Sequence, residues 1–102
     1  MEPLVKIKKL IIRRKVLFTE KAEIEIFREQ LSHNLVIEAI LNAQSIFKTI
    51  RSNNPLTGKR EHLYIIKGLT FSGLLIYTKG KFLKHDNEEV FYVLISSKRD
   101  TD

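Results

Sequence analysis

Apolar residues recur along this chain at two different periods, and the change falls near Ser45. Before it, Leu35, Val36, Ala39, Ile40 and Ala43 return at three- and four-residue intervals. That spacing predicts a helix opening at Ser32 or His33, with Glu38 on its outer face. Upstream, Val5, Ile7, Leu10 and Ile11 suit a short helix with Lys6, Lys9 and Arg13 toward water, although the Val5, Ile7 alternation also permits a strand. A brief apolar run, Val16 to Phe18, ends at Thr19. Thr19 is placed to cap a second helix running to about Leu31, with Ala22, Ile26 and Phe27 as its apolar face.

After Ser45 the period is two. Ile46, Lys48 and Ile50 alternate with Phe47, Thr49 and Arg51, a strand pattern rich in β-branched and aromatic residues. Asn53-Asn54-Pro55 and Gly58 break it into a polar loop, and His62 to Leu69 resumes as a strand. Ser72-Gly73 turns the chain into a strand from Leu74 to Leu83, where Gly80 marks a bulge. His85-Asp86-Asn87 turns again into a last strand, Glu89 to Ser97. Helices followed by strands with short connections imply an α+β domain, N-terminal helices packed on one face of an antiparallel β-sheet meander. At 102 residues the expectation is a single domain, 1–102.

Composition narrows the class. Hydrophobic residues make up 43% and charged residues 29%, which is globular rather than disordered. The longest apolar runs, such as Leu10 to Ile12 and Val90 to Ile95, fall far short of the ~18 residues of a membrane span. Lys6, Lys8 and Lys9 interrupt the stretch where a signal peptide would be apolar, so the expected location is the cytoplasm, with no membrane partner. Without cysteine there is neither a disulfide framework nor a thiolate. His33, His62 and His85 lie on three different predicted elements without metal-ligand spacing, and the four glycines are single, so no metal and no cofactor is expected. Ser96-Ser97-Lys98 reads as a strand end rather than as a nucleophile and its base.

Charge changes the picture more. The net charge is +6, and it is unevenly spread: six cations stand against Glu2 alone between Met1 and Lys15, whereas Glu20, Glu23, Glu25, Glu29 and Glu38 cluster further on. Basic surfaces gain affinity for nucleic acid by releasing its condensed counterions. In the second half, Lys48, Lys79 and Lys98 interrupt otherwise apolar strands. A sheet with cations and tyrosines on one face, and Val and Ile on the other, is suited to a phosphate polymer, which makes RNA the first partner to consider.

RNA cleavage without a metal asks for little. A base takes the 2′-hydroxyl proton, the 2′-oxygen attacks the adjacent phosphate, an acid protonates the leaving 5′-oxygen, and cations offset the extra charge. Lys48, Tyr77, Lys98 and His62 are among the strand groups that could offset that charge or move those protons. Arg51, Lys59, Arg60, Tyr64, Lys79, Lys81 and Arg99, with Tyr92, complete the inventory for binding. For any one of them a solvated charge on a half-covered sheet is the plainer reading; the set is more telling than its members. Lys48, Tyr77 and Lys98 should converge on one face, with Thr49 and Ile76 pointing to the other.

The segments IKKLI, EAILNAQ, IFKTI, LIYTK and VLISSKR occur in the order seen in MqsR-type toxins, and in that order and spacing the chain resembles this branch of the RelE-like toxin–antitoxin ribonuclease superfamily. The resemblance implies a RelE-like fold and a bacterial endoribonuclease, an mRNA interferase, silenced by a bound cognate antitoxin. It implies catalytic roles for Lys48, Tyr77 and Lys98. The family's glutamine before the second sheet strand has no counterpart; Arg60, Glu61 and His62 occupy that region. A second copy of the chain is a further candidate partner. The competing expectation is a non-catalytic basic module with the same fold that binds RNA or a protein.

Overall fold

The structure, a computed structural model, describes residues 2–101; the two ends of the expected 1–102 domain lie outside the described residues. In chain order it contains α1 (Pro3–Ile12), β1 (Val16–Phe18), α2 (Glu20–Arg28), α3 (His33–Asn42), β2 (Lys48–Asn53), β3 (Arg60–Leu69), β4 (Leu75–His85) and β5 (Glu88–Arg99). The architecture is α+β: three N-terminal helices on a five-stranded sheet of order β1-β5-β4-β3-β2. The sheet is mixed rather than purely antiparallel. β2 to β5 form the expected meander, but Val16, Leu17 and Phe18 pair in parallel with Tyr92, Val93 and Leu94. A three-residue strand is too short to display a period, so its sequence reads only as an apolar run.

Caps set the helix ends. Thr19 Oγ1 accepts the Ala22 N–H at 3.2 Å, and Ser32 Oγ accepts the Leu35 N–H at 3.1 Å. α2 stops at Arg28, not near Leu31, because Gln30 adopts a left-handed backbone (φ 57°) and the Leu31 N–H returns to the Ile26 carbonyl at 2.9 Å. Its inward face is Ala22 and Ile26; Phe27 is 84% exposed, contrary to expectation. About one turn of helix separates Ala22 from Ile26, and Phe27 lies about 100° round from Ile26 and about 140° from Ala22.

Leu4, Ile7 and Ile11 of α1, Ile26 of α2 and Val36, Ala39 and Ile40 of α3 meet Tyr64, Ile66, Ile76, Tyr92 and Leu94 of the sheet in one buried cluster. Two glycines allow close approach. A Cβ on Gly68 would lie 1.9 Å from the Ala39 carbonyl oxygen, so α3 rests directly on the β3 backbone there. A Cβ on Gly80 would lie 2.5 Å from the Tyr92 ring. The bulge expected at Gly80 is present: Lys79 pairs with Ser96 but Gly80 with Leu94, leaving Ile95 as the extra residue. Asp86 and Asn87 both take positive φ (51° and 64°), the geometry of a tight two-residue hairpin.

The acidic stretch proves to hold backbone together. Where β1 ends, Glu25 accepts the Ser97 N–H at 3.1 Å and Glu29 accepts the Arg99 N–H at 3.0 Å, so α2 closes the exposed edge of β5. Glu38 is not a free outer-face residue, since its carboxylate accepts the Phe71 N–H at 2.5 Å across from the β3–β4 turn. Ile40→Ala, at a fully buried position, should cost on the order of 2–5 kcal/mol. Glu38→Ala should cost about 1 kcal/mol by releasing the turn. Denaturation midpoints of the two variants check this; equal losses would mean that α3 is rotated from its observed packing.

Candidate nucleic-acid interface

Directly opposed residues in a ladder share a face, so the register assigns sides. Lys67, Tyr77 and Lys98 form one rung across β3, β4 and β5. Lys48, Ile65 and Lys79 form the next rung toward β2. All five polar groups lie on the face turned away from the helices, because the alternate positions Ile66, Ile76 and Thr78 are fully buried beneath them. The expected convergence of Lys48, Tyr77 and Lys98 on one face is therefore seen, and Ile76 and Thr49 point the other way.

Separation within that face is uneven. Tyr77 has Lys67 and Lys98 as direct cross-strand neighbours, and the Lys98 ammonium lies 5.4 Å from the centre of its ring. Lys48 is three strands from Lys98, roughly 14 Å at the ~4.8 Å spacing of neighbouring strands. Tyr77 and the three lysines nearest it thus form a compact group, with Lys48 as an outlying cation at the sheet edge. Lys67, absent from the sequence candidates, belongs to the group: its ammonium sits 3.0 Å from Asp100 and 4.1 Å from the centre of the Phe47 ring. A lone cation in the apolar stretch Tyr64 to Leu69 is the same signal that singled out Lys48, Lys79 and Lys98.

Other candidates lie elsewhere. Lys81 shares the open face but is paired with Glu61 at 3.2 Å. Tyr64 and Tyr92 are on the helix side, 8% and 0% exposed, and Phe82 stands edge-on to both rings. Burial, reinforced by the charge of Glu89, pushes the Tyr64 hydroxyl above its ordinary pKa; burial pushes Tyr92 up much further. Neither can stack on a base, so of the three tyrosines only Tyr77 serves the proposed face. Arg99 also turns to the helices, its Nε donating to the Glu29 carbonyl at 3.1 Å.

His62 stands opposite Arg51, and Arg60 opposite Asn53, on the helix-side face of the β2–β3 hairpin. His62 is thus separated from Tyr77 by the sheet itself. Lys59 is exposed in the hairpin loop. Two surface hollows lie at the hairpin, lined by Arg51 and Arg60 with their neighbours. A cationic sheet face can track an extended polymer.

Among the described residues no three His, Asp or Glu side chains are grouped to hold a metal ion, and no helix is long and apolar enough to cross a membrane. No protein-family model, no curated protein and no solved structure matches the chain.

Proposed function

We propose that the open sheet face binds single-stranded RNA and cleaves it without a metal. The observation that carries this reading is the rung Lys67-Tyr77-Lys98 with Lys79 beside it: a tyrosine hydroxyl set among lysines on the open face. A phosphodiester seated over Tyr77 would have Lys79 and Lys98 within side-chain reach, while Lys67 is partly offset by Asp100. The 2′-oxygen bonds to phosphorus as the bond to the 5′-oxygen breaks, which yields a 2′,3′-cyclic phosphate and a 5′-hydroxyl. Tyr77 hands its proton to the leaving oxygen, and solvent water takes up the 2′-hydroxyl proton and returns one to Tyr77. The remaining ammonium groups offset the charge on phosphorus, and Lys48 holds the chain where it reaches the sheet edge.

In this reading the protein is an mRNA interferase of the MqsR type within the RelE-like superfamily, acting in the bacterial cytoplasm and silenced by a cognate antitoxin. That assignment rests on the order of the motifs and on the shared positions Lys48, Tyr77 and Lys98. One observation favours a second reading, a binding module without turnover: the cations are spread over four strands, an arrangement that tracks a backbone as readily as it surrounds one phosphate. Expression in a bacterial host separates the two. Growth arrest relieved by the neighbouring reading frame, and abolished by Tyr77→Phe, supports the toxin; unimpaired growth favours the module.

Both readings require phosphate contacts. RNA affinity should weaken about tenfold or more across a fourfold rise in salt, because each neutralised phosphate releases its counterion on binding. A flat response in a fluorescence-anisotropy titration would point instead to an apolar protein partner.

A further inference from the structure

The tip of the β2–β3 hairpin concentrates cations that the fold leaves without partners. Arg51 and His62 are cross-strand neighbours, Arg60 is diagonal to Arg51, and Asn53 completes the same face. All four side chains are exposed, because the helices pack further along the sheet. Two strand lysines are paired with acids, Lys67 with Asp100 and Lys81 with Glu61. Arg51, Arg60 and His62 form no ion pair and no side-chain hydrogen bond with the described residues, and the nearest acid, Glu61, is already taken by Lys81. The two arginine charges repel one another across that diagonal, and a bound anion removes the repulsion. Two adjoining open hollows, of about 350 Å³ and about 230 Å³, share Arg51 and Arg60 in their walls, and Glu61 also lines the smaller.

β2 is the edge of the sheet, with no strand paired beyond it. Lys48 faces the open side, and Arg51, three residues further along the same strand and roughly 10 Å away, faces the other. We infer that Arg51, Asn53, Arg60 and His62 form a phosphate subsite that receives the RNA backbone after it crosses the β2 edge at Lys48. This rests on the RNA reading of the open face and deepens it. The substrate becomes a strand that wraps the edge and is gripped on both faces, with the arginine guanidinium groups matching phosphate oxygens two at a time.

The test uses the full chain, RNA of two lengths and inorganic phosphate. A single-stranded oligonucleotide of about 4 nucleotides covers the open face alone, and one of about 16 can also pass the edge. Arg51→Gln/Arg60→Gln should leave the affinity for the short strand within about twofold and lower that for the long strand about tenfold at low salt. Two lost phosphate contacts should also flatten the slope of log affinity against log salt by about 1.4, a change that a purely structural role of the arginines would not produce. Equal long-strand affinity and slope for parent and variant would overturn the inference while leaving the RNA reading intact. Should the parent bind neither strand, the RNA reading fails. The arginine Nε–H resonances under inorganic phosphate then decide the subsite: selective shifts at Arg51 and Arg60 keep it as a site for free phosphate, and their absence removes it.

Discussion

Tyr77→Phe should slow RNA cleavage by ~100-fold or more while leaving RNA affinity within about twofold, because it removes a proton and keeps the ring. Lys98→Ala should lower cleavage on a similar scale, ~100-fold, through lost charge stabilisation, whereas Lys48→Ala, at the sheet edge, should act chiefly by weakening binding. The split between the tyrosine and the lysines is the informative part. A module that only binds would show the lysine effects on affinity and nothing specific to the Tyr77 hydroxyl. Thr49→Ala is the suitable control: Thr49 is exposed on the opposite face of β2. Ile76, which sequence alone offers as a second control, is fully buried, so its replacement would report core damage instead. Single-turnover kinetics with a labelled strand, alongside anisotropy, measures both quantities.

Gly68→Ala should be among the most damaging substitutions in the chain, although it adds a single methyl group. That methyl would stand 1.9 Å from the Ala39 carbonyl oxygen, and both atoms belong to backbone that has no rotamer to yield. α3 must lift from β3, which separates Ala39 and Ile40 from Ile66 in the buried cluster. The cost should be on the order of 3 kcal/mol or more, at or above the upper end of ordinary overpacking. For a domain whose whole stability is roughly 5–15 kcal/mol, that is a large share. Urea denaturation of parent and variant gives the answer directly, and a loss below about 1 kcal/mol would mean that the helix rides higher than observed.

Much of this arrangement was legible in the sequence, and the exceptions have physical reasons. Thr19 and Ser32 announce their helices because a hydroxyl at the N-cap answers a free N–H. The period of two places Lys48 and Tyr77 correctly, since β2 pairs with β3, and β3 with β4, in uninterrupted register. In β5 the same counting fails. Tyr92, Leu94, Ser96 and Lys98 are alternate residues and would share a face in a regular strand, yet Ile95 bulges and reverses the sides between them. Tyr92 is accordingly sealed against the helices while Lys98 meets Tyr77 on the open face. Pooling Arg51, Arg60 and His62 with the lysines obscured a split that odd and even spacing already contained. The carboxylates of α2 were legible as charge but not as backbone acceptors, because that role depends on where β1 stops.

Incubation of the pure protein with single-stranded RNA in excess chelator asks whether the Tyr77 face cuts RNA by itself. Cleavage should be undiminished by the chelator, with fragments ending in 2′,3′-cyclic phosphate and beginning with 5′-hydroxyl, and should be lost on Tyr77→Phe. RNA left intact by the parent protein, or fragments with 3′-hydroxyl and 5′-phosphate ends, would contradict the proposal.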